Sequence, residues 1–151
     1  MELENARCPI CGAAIVVDKH GETLECMYCG QTIQAKQVKE YIDLSKIESI
    51  DAYMLAAQHE IIYTEDFESA KNFYKKVLAV KKDYCHAIWG IFVCEINKII
   101  YSHNKNGYVF VAGDTMKCIT EAIEKVGKEA YNCAPKMLKE HYKKVFDYYM
   151  Q

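Results

Sequence analysis

Two cysteine pairs, fourteen residues apart, constrain this chain more than anything else in it: Cys8-Pro9-Ile10-Cys11-Gly12 and Cys26-Met27-Tyr28-Cys29-Gly30. Each has the form C-x-x-C-G, a tight turn that aims both sulfurs at one point. Gly12 and Gly30 stand where the backbone curls back, a place where a positive φ costs glycine nothing. Pro9 fixes its own φ and has no N–H to leave unpaired, so it suits the first turn. Two such turns can present four thiolates tetrahedrally, the closed geometry of a structural zinc site. The expected ligands are therefore Cys8, Cys11, Cys26 and Cys29, holding one structural Zn2+. The competing account, four ordinary thiols or two disulfides, needs matched C-x-x-C-G turns to have arisen by accident.

Between the pairs lie Ala13-Ala14-Ile15-Val16-Val17 and Thr23-Leu24-Glu25, joined by a Gly-containing turn, which read as a hairpin. Gln31-Thr32-Ile33-Gln34-Ala35 can add a third short strand. Strands of two to five residues bury too little surface to offset the entropy of ordering them. The metal must then do most of the folding here, being worth about 10–16 kcal/mol in small zinc peptides. The expected organisation is a ribbon over 1–38, a linker over 39–45 and a second domain over 46–151.

These residues resemble a zinc ribbon of the transcription factor IIB type, over about the first 36 residues, through Cys8, Cys11, Cys26 and Cys29. That class includes transcription factors and polymerase subunits as well as ribbons with no nucleic-acid role, so the fold alone does not settle function. Charge bears on the choice. Residues 1–40 carry four basic against six acidic side chains, and a tetrathiolate zinc adds formal negative charge. A ribbon that grips phosphates needs a basic face, so nucleic-acid binding is unexpected. Binding to nucleic acid or RNA polymerase stands as the alternative reading.

The whole chain of 151 residues is 51% hydrophobic with a net charge of −2, so nothing global draws it to nucleic acid or an anionic membrane. The opening Met1-Glu2-Leu3-Glu4-Asn5 is acidic and lacks an apolar h-region, so no secretory signal is expected. The longest apolar stretch, Ala87 to Cys94, is too short to span a bilayer. Eight cysteines in that setting suggest a reducing compartment, and the expected location is the cytoplasm.

Beyond the linker the apolar period becomes helical. Ser45-Lys46-Ile47-Glu48 has the form of a capping box, followed by Ile47, Ile50, Met54, Ala57, Ile61 and Ile62 for a helix to about Tyr63. A second helix starts near Asp66 and carries Phe67, Ala70, Phe73, Tyr74, Val77 and Leu78 on one face. A third is expected from Tyr84 to about Tyr101, with a loop over Ser102–Gly107. Residues 108–112 satisfy both strand and helix patterns. Met116, Ile119, Ile123 and Val126 mark another helix, and a last one starts at Pro135 with Leu138, Tyr142, Val145, Phe146 and Tyr149. The expected fold class is a small β zinc ribbon followed by an all-α domain of five to six helices packed as antiparallel hairpins.

Glu65-Asp66-Phe67-Glu68-Ser69-Ala70, then Tyr74, then a break near Asp83, resembles the second half of a tetratricopeptide repeat, and Ala87-Ile88-Trp89-Gly90-Ile91 resembles the opening of the next. The resemblance covers about residues 51–97. It departs from the family at Lys82, where a proline is usual, and at Met54 and Gln58, where tryptophan and glycine are. As a whole the chain resembles bacterial proteins that join an N-terminal zinc ribbon to such repeats. The resemblance implies a concave, partner-binding face made of Leu55, His59, Ile62, His86, Trp89 and Val93. Trp89, the one tryptophan, either anchors a protein or peptide partner there or packs against the ribbon or the C-terminal helices.

Catalysis is not expected. Cys85 and His86 are adjacent, so on a helix they point about 100° apart and cannot pair as nucleophile and base. Cys85 and Cys94 fall on opposite faces of one helix and cannot share a second metal. Cys118 and Cys133 have no ligand spacing, and all four read as small buried thiols. The chain lacks a Gly-rich phosphate loop and an H-E-x-x-H motif.

Overall fold

Each cysteine turn lies inside a hairpin of its own. In a computed structural model that describes residues 3–18, 23–106 and 112–150, β1 (Leu3–Arg7) pairs antiparallel with β2 (Ala14–Asp18), and β3 (Thr23–Glu25) with β4 (Thr32–Gln34). This corrects the expected pairing of Ala13–Val17 with Thr23–Glu25: among the described residues the strands form two separate two-stranded sheets. The turns are the reason. Cys8 N–H donates to Ala13 O at 2.9 Å and Gly12 N–H to Cys8 O at 3.0 Å, folding the chain back so that the flanking strands meet. The second turn repeats the device, with Cys26 N–H on Gln31 O at 3.0 Å and Gly30 N–H on Cys26 O at 2.8 Å. The partner strand Leu3-Glu4-Asn5-Ala6-Arg7 has weak β propensity and no clean alternation, so local pattern does not mark it.

The stretch expected as a linker runs alongside β1. Arg7 N–H donates to Glu40 O at 3.0 Å and Ile42 N–H to Asn5 O at 2.8 Å, with Tyr41 opposite Ala6. The Arg7 guanidinium reaches further, to Glu40 Oε1 at 3.3 Å, to Asp51 Oδ1 at 3.3 Å and Oδ2 at 2.5 Å, and to Gly12 O at 3.3 Å. One side chain thus fastens the first cysteine turn to the first helix.

That helix, α1 (Ser49–His59), begins after a 3-10 turn over Leu44–Lys46. The expected capping box does not form. Asp43 Oδ1 accepts from Ser45 N–H at 2.9 Å and from Ser45 Oγ at 2.7 Å, so Ser45 serves the turn before the helix. A π turn, Glu60–Thr64, extends α1 and ends at Glu65, whose φ of 52° is left-handed. α2 (Phe67–Val80) starts where expected, capped by Asp66 accepting from Ser69 N–H at 3.0 Å.

α3 (Cys85–Asn106) is longer than expected: residues 102–106 continue the helix. Serine, histidine, asparagine and lysine cost only tenths of a kcal/mol each in a helix, too little to stop one already under way. The ambiguous residues 108–111 lie outside the described residues. α4 (Ala112–Ala122) runs through a π turn (Ile123–Gly127) into α5 (Lys128–Cys133), and α6 (Lys136–Tyr149) follows Pro135.

α1 packs on α2, α2 on α3, and α3 on the α4–α5 rod. Small residues let these helices close. Ala70 is fully buried, and a Cβ on Gly90 would lie 2.5 Å from the Tyr74 ring. The core is continuous from ribbon to helices. Ile15, Val17, Tyr28 and Ile33 join Met54, Tyr74, Trp89 and Phe92 in one buried cluster. Among the described residues no helix is long and apolar enough to cross a membrane.

Candidate metal centre

The two cysteine turns meet face to face. The Sγ atoms of Cys8, Cys11, Cys26 and Cys29 all lie within 4.8 Å of one another. Cys8 Sγ is 3.8 Å from Cys29 Sγ, and Cys11 Sγ is 3.8 Å from Cys26 Sγ. A tetrahedron with zinc–sulfur bonds of about 2.3 Å has edges of about 3.8 Å, so the thiols stand at the separation a zinc ion imposes. A disulfide needs about 2.05 Å, and all four cysteines are free. Cys8, Cys26 and Cys29 are buried and Cys11 is half-buried.

The thiols answer to one another. Hydrogen bonding, from Cys11 foremost, pulls Cys8 and Cys29 below an ordinary thiol, while hydrogen bonding with Cys26 foremost holds Cys11 above one. Four crowded sulfurs therefore ionise only in part without a cation, and a divalent ion displaces the protons they share. The donor set suits zinc: soft, all sulfur and closed, with no position left for water or substrate. Cys11 N–H lies 3.5 Å from Cys8 Sγ, the kind of backbone contact that supports a thiolate.

Both turn glycines have positive φ, 79° at Gly12 and 72° at Gly30. Their surroundings differ. A Cβ on Gly12 meets nothing within 4 Å, whereas one on Gly30 would lie 2.2 Å from the His141 ring. Gly12→Ala is therefore expected to cost about 1–2 kcal/mol, the price of a left-handed alanine. Gly30→Ala is expected to cost more, because the His141 side chain on α6 has to shift as well. Denaturant midpoints of the two metal-loaded variants check this, and equal losses would contradict the contact with α6.

The second turn is seated on the helical body at several points. Trp89 Nε1 donates to Met27 O at 3.1 Å, and the hydroxyls of Tyr28 and Tyr74 share a hydrogen bond at 2.8 Å. Tyr28 meets the His86 ring edge-on at 5.7 Å. Burial pushes the His86 imidazole down to about 4, so it is neutral at physiological pH.

The six side chains expected on a partner-binding face differ in exposure. Trp89 is 1% exposed, stacked on Tyr142 at 3.9 Å and pressed on Phe92, so it belongs to the core and is not a groove anchor. An indole that satisfies its N–H on Met27 O can be buried whole without penalty. Leu55 is also buried, and His86 and Val93 are partly so. His59, partly buried, stacks on Tyr63 at 5.4 Å, and Ile62 is 49% exposed. Ile62 lies on the rim of a groove of about 220 Å³ between ribbon and helix, lined also by Val16, Leu24, Met27 and Ile61.

Of the remaining thiols Cys85 and Cys94 are buried as expected, and burial pushes Cys94 up to about 12. Cys118 and Cys133 are exposed, which corrects the expectation of burial. Sequence reasoning missed His86 and His141 as neighbours of the second cysteine turn. Nothing local could have shown them, because they come from α3 and α6. Comparison with known protein families, with curated proteins and with solved structures finds no match.

Proposed function

We propose that this chain is a non-catalytic adaptor, in which one structural Zn2+ on Cys8, Cys11, Cys26 and Cys29 staples a ribbon to a helical body that binds another protein. The observation that carries the metal half is the 3.8 Å spacing across both pairs of sulfurs. A closed tetrathiolate supplies folding energy and no open site for chemistry, which favours a structural over a catalytic role. The binding half draws on the tetratricopeptide-like pattern of α1 to α3 and on exposed apolar side chains, Ile62 and Tyr63 (57% exposed), beside the ribbon. The reading places the protein in a reducing compartment such as the cytoplasm, where thiols keep their metal.

Affinity capture from the native cell tests the adaptor half. A specific protein held by wild type is expected to be lost by Cys26→Ser and by Ile62→Asp, and retained by the surface control Tyr148→Ser. Equal capture by wild type and Ile62→Asp, with unchanged metal content, would remove this face from the reading.

A further inference from the structure

Two sheet edges border the groove beside Ile62. In β2, Cys8 N–H donates to Ala13 O, and alternation from that pair turns the backbone of Ile15 and Val17 toward β1 and that of Ala14 and Val16 away from it. In β3, Cys26 N–H donates to Gln31 O, which turns Leu24 toward β4 and Thr23 and Glu25 away. Val16 and Glu25 both line the groove. Among the described residues neither β2 nor β3 has a second partner strand. The edge of β2 already shows what it takes. Val16 N–H donates to Oε1 of the buried Gln58 at 2.7 Å, in the place of a neighbouring strand's carbonyl.

The floor between those edges is apolar, made of Val16, Leu24, Met27, Ile61 and Ile62. At about 220 Å³ it has room for about one or two apolar side chains, since a cavity of about 150 Å³ takes a benzene. Drug-sized ligands and cofactors need about 300–1,000 Å³. The charge around it has one sign. The lining segments 14–17, 23–27 and 58–65 bring Glu25, Glu60 and Glu65, and hold no lysine or arginine. Glu25 and Glu65 are exposed. An apolar floor between carboxylates is complementary to apolar side chains flanked by positive charge.

We infer that the groove takes an extended segment of a partner protein, which adds as a strand along the outward edges of β2 and β3, seats an apolar side chain beside Ile62 and carries lysine or arginine on its flanks. In such binding the main-chain hydrogen bonds to an edge give affinity, and the pocket for alternate side chains gives specificity. A helix makes its main-chain hydrogen bonds internally and has none to offer these edges. The inference rests on the adaptor reading above and names the chemistry of the partner on the same face.

The test is selection from a displayed library of random peptides on the full, metal-loaded chain under reducing conditions, followed by fluorescence anisotropy with the enriched peptides. The expected enrichment is alternating apolar and β-branched centres with lysine or arginine on the flanks. Ile62→Asp is expected to weaken their binding about tenfold or more, as loss of an anchor contact does. Glu25→Lys, at an exposed position, is expected to weaken it about two- to fivefold and to flatten its salt dependence. Tyr148→Ser is expected to bind as wild type does, and a proline at the centre of the peptide, which removes a main-chain donor, is expected to abolish binding. Metal content and circular dichroism confirm that each variant is folded. Should Ile62→Asp fail to fold, Glu25→Lys and the proline peptide decide. No enrichment, enrichment of acidic or helical peptides, or binding indifferent to Glu25→Lys and to the proline would overturn the inference. So would concentration-dependent dimers of the chain alone that Ile62→Asp dissolves, since a second copy would then fill the groove. If capture from the native cell still depends on Ile62 in any of these cases, the adaptor reading survives; if it does not, both fall.

Discussion

Removing the metal with a strong chelator is expected to move the emission of Trp89 to longer wavelength and to erase the strand contribution of residues 3–38 from the circular dichroism. Trp89 is the one tryptophan in the chain, and its indole N–H is bonded to the carbonyl of Met27, inside the second cysteine turn. It reports directly on whether the ribbon is seated. Apart from the core they share with the helices, the hairpins have little to hold them. Their sheets are two-stranded, of five and three residues per strand, a size that is marginal in water without support. A structural zinc site contributes about 10–16 kcal/mol in small peptides, far above what such hairpins gain by themselves. Cys26→Ser is expected to behave as the chelated wild type does, since it removes one ligand and leaves three thiols about a site they cannot close. Unchanged emission and an unchanged far-ultraviolet spectrum after complete metal removal would show that the core, not the ion, holds the ribbon.

Trp89→Ala is expected to be the most damaging substitution in the helical body. Truncating a buried tryptophan costs about 3–5 kcal/mol through lost transfer energy and the cavity left behind. The Met27 carbonyl then loses its donor, worth about another 1 kcal/mol. Against a typical stability of about 5–15 kcal/mol, this takes the protein close to its folding threshold. For a chain of this size the thermal midpoint should fall by about 10–20 °C. Because Trp89 joins α3, α6 and the second cysteine turn, the loss should also weaken metal retention, measurable as faster zinc release to a chelator. A folded Trp89→Ala protein with an unchanged midpoint would mean that the indole lies outside the core.

The aromatic layer around Trp89 also shows why a sequence could not have separated the two readings of that residue. At helical spacing, Trp89 sits among Ile88, Ile91 and Phe92, and the chain is apolar nearly all round this part of α3. A groove residue and a core residue give the same pattern there. What places it inside is α6, about fifty residues further along the chain, which lays Tyr142 flat on the indole. Ile62 shows the reverse: it continues an apolar period and yet half emerges, because the π turn shifts the side chains after His59 off the buried face of α1.

Strand pairing was legible only in part. The run Ala14–Asp18 announces itself by β-branched residues, but its partner Leu3–Arg7 does not, and the alternative partner Thr23–Glu25 was the one with the better local pattern. The hydrogen bonds of the cysteine turns decided the matter, since a chain reversed at Cys8–Ala13 brings residues 3–7 back against 14–18. Likewise Ser45 and Glu48 have the letters of a capping box, and Asp43 took the serine first.

By itself the sequence determined which four cysteines converge, the positive φ of Gly12 and Gly30, and the order of a ribbon followed by helices, because each depends on chemistry within a few residues. Only the tertiary structure decided which strands pair, that Trp89 is core, and that His86 and His141 pack on the second cysteine turn. Those outcomes depend on contacts between segments far apart in the chain, where local spacing carries no information about which surfaces meet.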